Sequence, residues 1–141
     1  MFTGRIPPDA TEVLHSPVAL AAGLGQLGKH GSLITPEHGS NVRLAVVLTD
    51  LPLQSDEPQS FGLDDFCGSC RICEENCPPH AISPHKQTVR GADKWYVNFD
   101  ACVPYFAETH GCGIHACPWS EPGRGPHLVQ LLSKRREAAA N

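Results

Sequence analysis

Cys67-Gly-Ser-Cys70-Arg-Ile-Cys73-Glu-Glu-Asn-Cys77-Pro78 carries four thiols at the spacing Cys-x2-Cys-x2-Cys-x3-Cys-Pro. Two-residue gaps let a backbone wrap one cubane iron–sulfur cluster, so that three thiolates reach three irons while amides point at the sulfides. The fourth cysteine, followed by proline, points away and serves a second cluster where two are present. The run therefore predicts a second set of thiols downstream. Cys102, Cys112 and Cys117-Pro118 supply it, and they end on the same Cys-Pro signature.

Two other uses of the thiols fit less well. A structural zinc takes paired cysteines with a long gap between the pairs, not four crowded thiols and three more. Disulfides belong to oxidising compartments and to even counts, whereas this chain has seven cysteines and no export signal. At 141 residues and 40% hydrophobic, the chain is long enough for one compact core and too short for two full domains. Thirteen glycines and thirteen prolines against 6% aromatics imply long loops, which suits an interior partly filled by inorganic clusters.

The net charge of -4 is mild. Acidic residues gather near the first motif (Asp56, Glu57, Asp64, Asp65, Glu74, Glu75), and the clearest basic run, Lys134-Arg135-Arg136, lies at the far end. That is no nucleic-acid footprint, and the acids read as a solvated surface. The N-terminus lacks an apolar signal core, and Val18 to Leu27 is too short to span a membrane. A soluble, cytoplasmic protein is expected.

Read in order, residues 1 to 15 form an irregular lead-in. Ser16-Pro17 starts a helix, with serine as cap, that runs to Leu27 and ends at Gly28. Gly23-Leu-Gly25-Gln-Leu-Gly28 matches the dinucleotide fingerprint, with Asp50 where a ribose-binding acid would stand, but it lies inside the helical pattern and not on a strand-to-helix turn. Nicotinamide binding is not expected. Ser32 to Thr35 reads as a short strand, Pro36 to Asn41 as a turn, and Val42 to Thr49 as a buried strand, continuous in apolar and β-branched residues. Beyond Cys77 a loop leads to a strand over Lys94–Phe99, Asp100 caps a short helix carrying Cys102, and a final helix runs from His127 to Ala140. Lys29 and His30, at a helix C-terminus, are poorly placed for anions. His80 and His85 read as exposed loop residues, and Trp95 and Trp119 as core residues that shield the clusters as a by-product.

From Ala22 to about Gly123 the chain resembles the C-terminal part of the cobamide-dependent reductive dehalogenase and epoxyqueuosine reductase superfamily. The residues that carry the likeness are Ala22-Gly-Leu-Gly-Gln-Leu-Gly-Lys-His-Gly-Ser-Leu-Ile-Thr-Pro-Glu37, Val42-Arg-Leu-Ala-Val-Val-Leu-Thr-Asp-Leu-Pro-Leu53 and both cysteine motifs. The resemblance implies that the first two segments close a nitroreductase-like corrinoid-binding domain and that a two-cluster ferredoxin domain follows. It implies Cys67, Cys70, Cys73 and Cys117 as ligands of one cluster, and Cys77, Cys102 and Cys112 as ligands of the other. Most of the corrinoid domain, with its proton donor, would lie upstream of Met1. Two positions depart from the family pattern. Gln26 stands where an aromatic is usual, and Cys112-Gly-Ile-His115-Ala-Cys117-Pro has histidine in place of a cysteine and is two residues short. For His115, ligation to the second cluster, a three-iron site and an empty site all remain open.

The expected fold is α+β: a two-[4Fe-4S] ferredoxin-like module preceded by a helix-and-strand remnant of an α/β domain. Its expected divisions are 1–53, a linker over 54–62, the cluster module over 63–123 and a helical tail over 124–141. The expected function is one-electron transfer to a redox partner, such as a corrinoid-binding polypeptide, with no catalysis or cobamide binding by the chain alone. Its rivals are a split or truncated cobamide-dependent reductase and a zinc-bound interaction domain.

Overall fold

The computed structural model describes residues 15–54, 56–58, 60–89, 91–109 and 113–140. The expected lead-in thus lies almost wholly outside the described residues, and so does Cys112. Helix α1 spans His15–Ala21, one residue earlier than its expected cap at Ser16 and well short of Gly28. It stops where Gly23 turns left-handed at φ 73, with Leu24 N–H bonded to Ala19 O and Gly23 N–H to Leu20 O. This is a Schellman closure, which a glycine permits at little cost. The chain then runs into β1 (Gln26–Leu27), which pairs antiparallel with β2 (Leu33–Ile34). Residues expected in the helix are therefore strand, because Gly23 supplies a stop five residues before Gly28. β2 falls where the sequence places it.

The turn that follows is tied to the far end of the chain. Ser40 N–H bonds Trp119 O, Asn41 Nδ2 donates to Ser120 O at 2.6 Å, and the Ser40 and Ser120 hydroxyls meet at 2.6 Å. Gly39 (φ 59) passes so close that an added Cβ would overlap Trp119 O. Val42–Thr49, expected as a buried strand, pairs with no strand among the described residues, and Val47 and Leu48 are 86% and 92% exposed. Its composition suits a strand covered on both faces, and among the described residues none covers Val46 to Leu48.

Helices α2 (Leu63–Ser69) and α3 (Ile72–Glu75) carry the first motif. A hairpin of β3 (Ile82–Val89) and β4 (Ala92–Val97) follows, the latter close to its expected place. β3 falls where the sequence suggests a loop: its side chains are largely polar and exposed, and Pro84, lacking an N–H, sits where the register slips between Ile82 and Lys86. Helix α4 (Phe99–Thr109) is capped by Asn98, whose Oδ1 accepts from the N–H groups of Asp100 (3.1 Å) and Ala101 (3.4 Å). Asp100, the expected cap, is already helical. Two 3-10 turns (Gly113–Ala116 and Pro118–Ser120) lead to α5 (Gly125–Ala140), which starts two residues before the expected His127.

Two apolar clusters form the interior. The larger joins Ile34, Leu63, Cys67, Trp95, Cys117, Trp119, Leu128 and Leu132. The smaller joins Cys73, Cys77, Ala81, Ile82 and Val97, with Cys102 packed against it. Cysteines stand in both.

Candidate metal centre

Sequence-distant thiols come together at this interior. Cys67 lies on α2, Cys70 sits at the break between α2 and α3, Cys73 lies on α3, and Cys117 enters from the junction of the two 3-10 turns. Cys67, Cys73 and Cys117 are buried and Cys70 half-buried, and all are free thiols. Burial pushes each of the three buried thiols up to about 11. Their mutual charges push the same way: Cys67 feels Cys117 and Cys70, Cys73 feels Cys67 and Cys70, and Cys117 feels Cys73 and Cys70. These are neighbours in space, linked from Cys67 to Cys117 across the whole module.

Opposing that rise are donors aimed at the sulfurs. The backbone amide of Lys29 acts on Cys67, and those of Trp119 and Ser120 act on Cys117. Cys77 is buried, and its Sγ accepts the N–H of Ala81 at 3.3 Å. Cys77 shares the smaller cluster with Cys73 and half-buried Cys102. His115, by contrast, is exposed. Among the described residues no three His, Cys, Asp or Glu side chains converge on a point where one metal ion would sit.

Both tryptophans are core residues, as expected. Trp119 is fully buried between Phe61 (5.5 Å) and Phe66 (5.9 Å, edge-on). Trp95 donates Nε1–H to Asp64 Oδ1 at 3.0 Å. His80 and His85 are exposed as expected, though His85 lies on β3 and not in a loop. Among the described residues, two buried donors have no acceptor: the indole Nε1 of Trp119 and Nε2 of His30. His30 Nδ1 accepts the Ser32 N–H at 3.2 Å, and burial lowers its pKa to about 4, so the ring is neutral with its proton on Nε2.

Lys29, which sequence reasoning set aside as poorly placed for an anion, has a different task. It is 2% exposed, and its Nζ donates to Cys70 O (2.8 Å) and to Glu74 Oε2 (3.1 Å). Glu74 within the cysteine run was the available signal, but pairing it with Lys29 requires the fold. The glycine fingerprint is used internally: at Gly25 a Cβ would overlap Ile34 O, and at Gly28 it would meet Ile34 Cδ1 at 2.7 Å. These glycines bring β1 against β2. Among the described residues no helix is long and apolar enough to cross a membrane.

No family model matches the chain. The tetrachloroethene reductive dehalogenase of Sulfurospirillum multivorans is 38% identical over 114 residues, covering 73% of this chain and 23% of that protein. The epoxyqueuosine reductase of Leadbetterella byssophila is 34% identical over 138 residues, covering 90% of this chain and 43% of that one. Among solved structures, a catabolic reductive dehalogenase in complex with 3-bromo-4-hydroxybenzoic acid superimposes with TM-score 0.81 at 36% identity, over 93% of this chain and 20% of its own. The chain thus spans less than half the length of each of these relatives. These homologues fit the chain to a C-terminal part of the reductive dehalogenase and epoxyqueuosine reductase superfamily.

Proposed function

We propose that the chain is an electron-transfer module holding two iron–sulfur clusters, the first on Cys67, Cys70, Cys73 and Cys117, the second on Cys77, Cys102 and Cys112. The observation that carries this reading is the meeting of Cys117 with the three thiols of the first motif. Thiols raised to about 11 do not ionise unaided at neutral pH, so iron would have to displace their protons, as metal binding at buried cysteines does. The orphaned donors of Trp119 and His30 fit the same reading, since a cluster brings sulfur acceptors into a pocket rich in N–H groups. When bound, such a cluster supplies one-electron storage. The chain's own residues hold it, exclude water through Trp119 and Leu63, and stabilise thiolate charge through the amides of Lys29, Trp119, Ser120 and Ala81. His115, exposed on its turn, is left out of the second set.

A companion reading places this module inside a larger corrinoid-dependent reductase, where it passes electrons to a cobalt centre held by other residues. It is supported by the length of the relatives, one solved example of which is described as B12-dependent, and by apolar surface that this chain leaves open. Besides Val47 and Leu48, the α4 residues Phe99 and Val103 are exposed, and a groove of about 670 Å³ opens between α1 and β4.

Iron, sulfide, zinc and cobalt are to be measured on one anaerobically reconstituted sample. More than one cubane's worth of iron, with matching sulfide and without cobalt, is expected; colourless protein with stoichiometric zinc would overturn the reading.

A further inference from the structure

Lysine is almost never fully buried unless paired, because removing an ammonium from water costs several kcal/mol. Lys29 is buried, and the two acceptors of its ammonium, Cys70 O and Glu74 Oε2, both lie in the cysteine run. Its Nζ meets Cys70 O and Glu74 Oε2 and stands 4.9 Å from the centre of the Trp95 ring, a cation–π contact. The second carboxylate oxygen of Glu74 takes the Arg71 Nε–H at 2.6 Å. Arg71 is two-thirds exposed, so water screens its charge, while Lys29 and Glu74 are both interior.

The pair therefore places opposite charges of fixed position beside the second and third thiols. It reaches there from a residue 41 positions upstream of Cys70. Lys29 Nζ lies 2.8 Å from the carbonyl oxygen of Cys70, and Glu74 follows Cys73 directly in the chain, so both charges stand beside proposed ligands of the first cluster. Coulomb energy in a low-dielectric interior is several times its value in water, so a buried cation beside sulfur favours whichever redox state carries more negative charge.

Resting on the iron–sulfur reading above, we propose that Lys29 and Glu74 are positioning residues that set the reduction potential of the first cluster, Lys29 raising it and Glu74 lowering it. A strap that only holds the loop would contribute to stability and iron retention but would give the two charges no opposed effect.

The test is a dithionite titration of the reconstituted full chain, followed by electron paramagnetic resonance, with iron content measured on each sample. Lys29→Met should move the first cluster's midpoint to more negative values, Glu74→Gln should move it to more positive values, and Lys29→Arg should stay near the parent. If Lys29→Met fails to retain iron, the positive shift of Glu74→Gln and the retention of potential in Lys29→Arg still decide the matter. Iron-loaded variants whose midpoints do not move, or move together in one direction, overturn this inference alone. A parent chain that takes up no iron overturns the electron-transfer reading and this inference with it.

Discussion

His30 shows how much a single side chain depends on where the chain puts it. It is 6% exposed, and burial lowers its pKa from 6.5 to about 4. Between those values the unfolded chain binds more protons than the folded one, so stability present above pH 6.5 is lost as pH falls toward 4. The effect is of the order of 3 kcal/mol. Urea unfolding at pH 7 and pH 4.5 should show this loss, and His30→Gln should reduce it; an equally steep loss in the variant would mean that other groups govern it. At Cys77, substitution by alanine is expected to spare the cluster of Cys67, Cys70 and Cys73 and to deplete the other, since the fourth cysteine of such a run serves the second site. Iron content falling by one cluster, with the first cluster's spectrum kept, checks it. His115→Ala, at an exposed side chain, should leave iron content unchanged.

Among the elements, the strap between the 38–41 turn and the 3-10 turn after Cys117 joins the first half of the chain to the cysteine module. Gly39 leaves no space for a side chain beside Trp119 O and holds a left-handed φ of 59. Gly39→Ala should therefore cost about 2 kcal/mol or more, through backbone strain and loss of the Ser40 and Asn41 bonds. A thermal midpoint within a degree of the parent would contradict this. Gln26 belongs to the same set of ties, because its Oε1 accepts the Phe61 N–H at 3.1 Å just ahead of α2. The residue that departs from the family pattern thus has a structural task in this chain.

At the scale of the whole molecule, Val46, Val47, Leu48, Leu51 and Leu53 form an apolar run that is exposed among the described residues. Leu48→Lys should leave the chain's unfolding free energy within about 0.5 kcal/mol of the parent, since an exposed side chain makes few contacts to lose. The same change should reduce self-association in light scattering, because unpaired apolar strands promote it. The buried tryptophans, β2, β4 and the terminal helix were legible in the sequence, since each rests on local spacing, capping or alternation. The helix stop at Gly23 and the polar strand β3 were less legible: a closer glycine pre-empted Gly28, and β3 is held by its pairing with β4 and not by an apolar face. Tertiary structure alone decided that Lys29 reaches Glu74 across 45 positions, and that Val46 to Leu48 lie exposed among the described residues. A residue's type and its near neighbours determine which conformations and bonds are open to it. Which partner it meets across the chain, and whether its apolar faces find one, depends on how all the elements pack together.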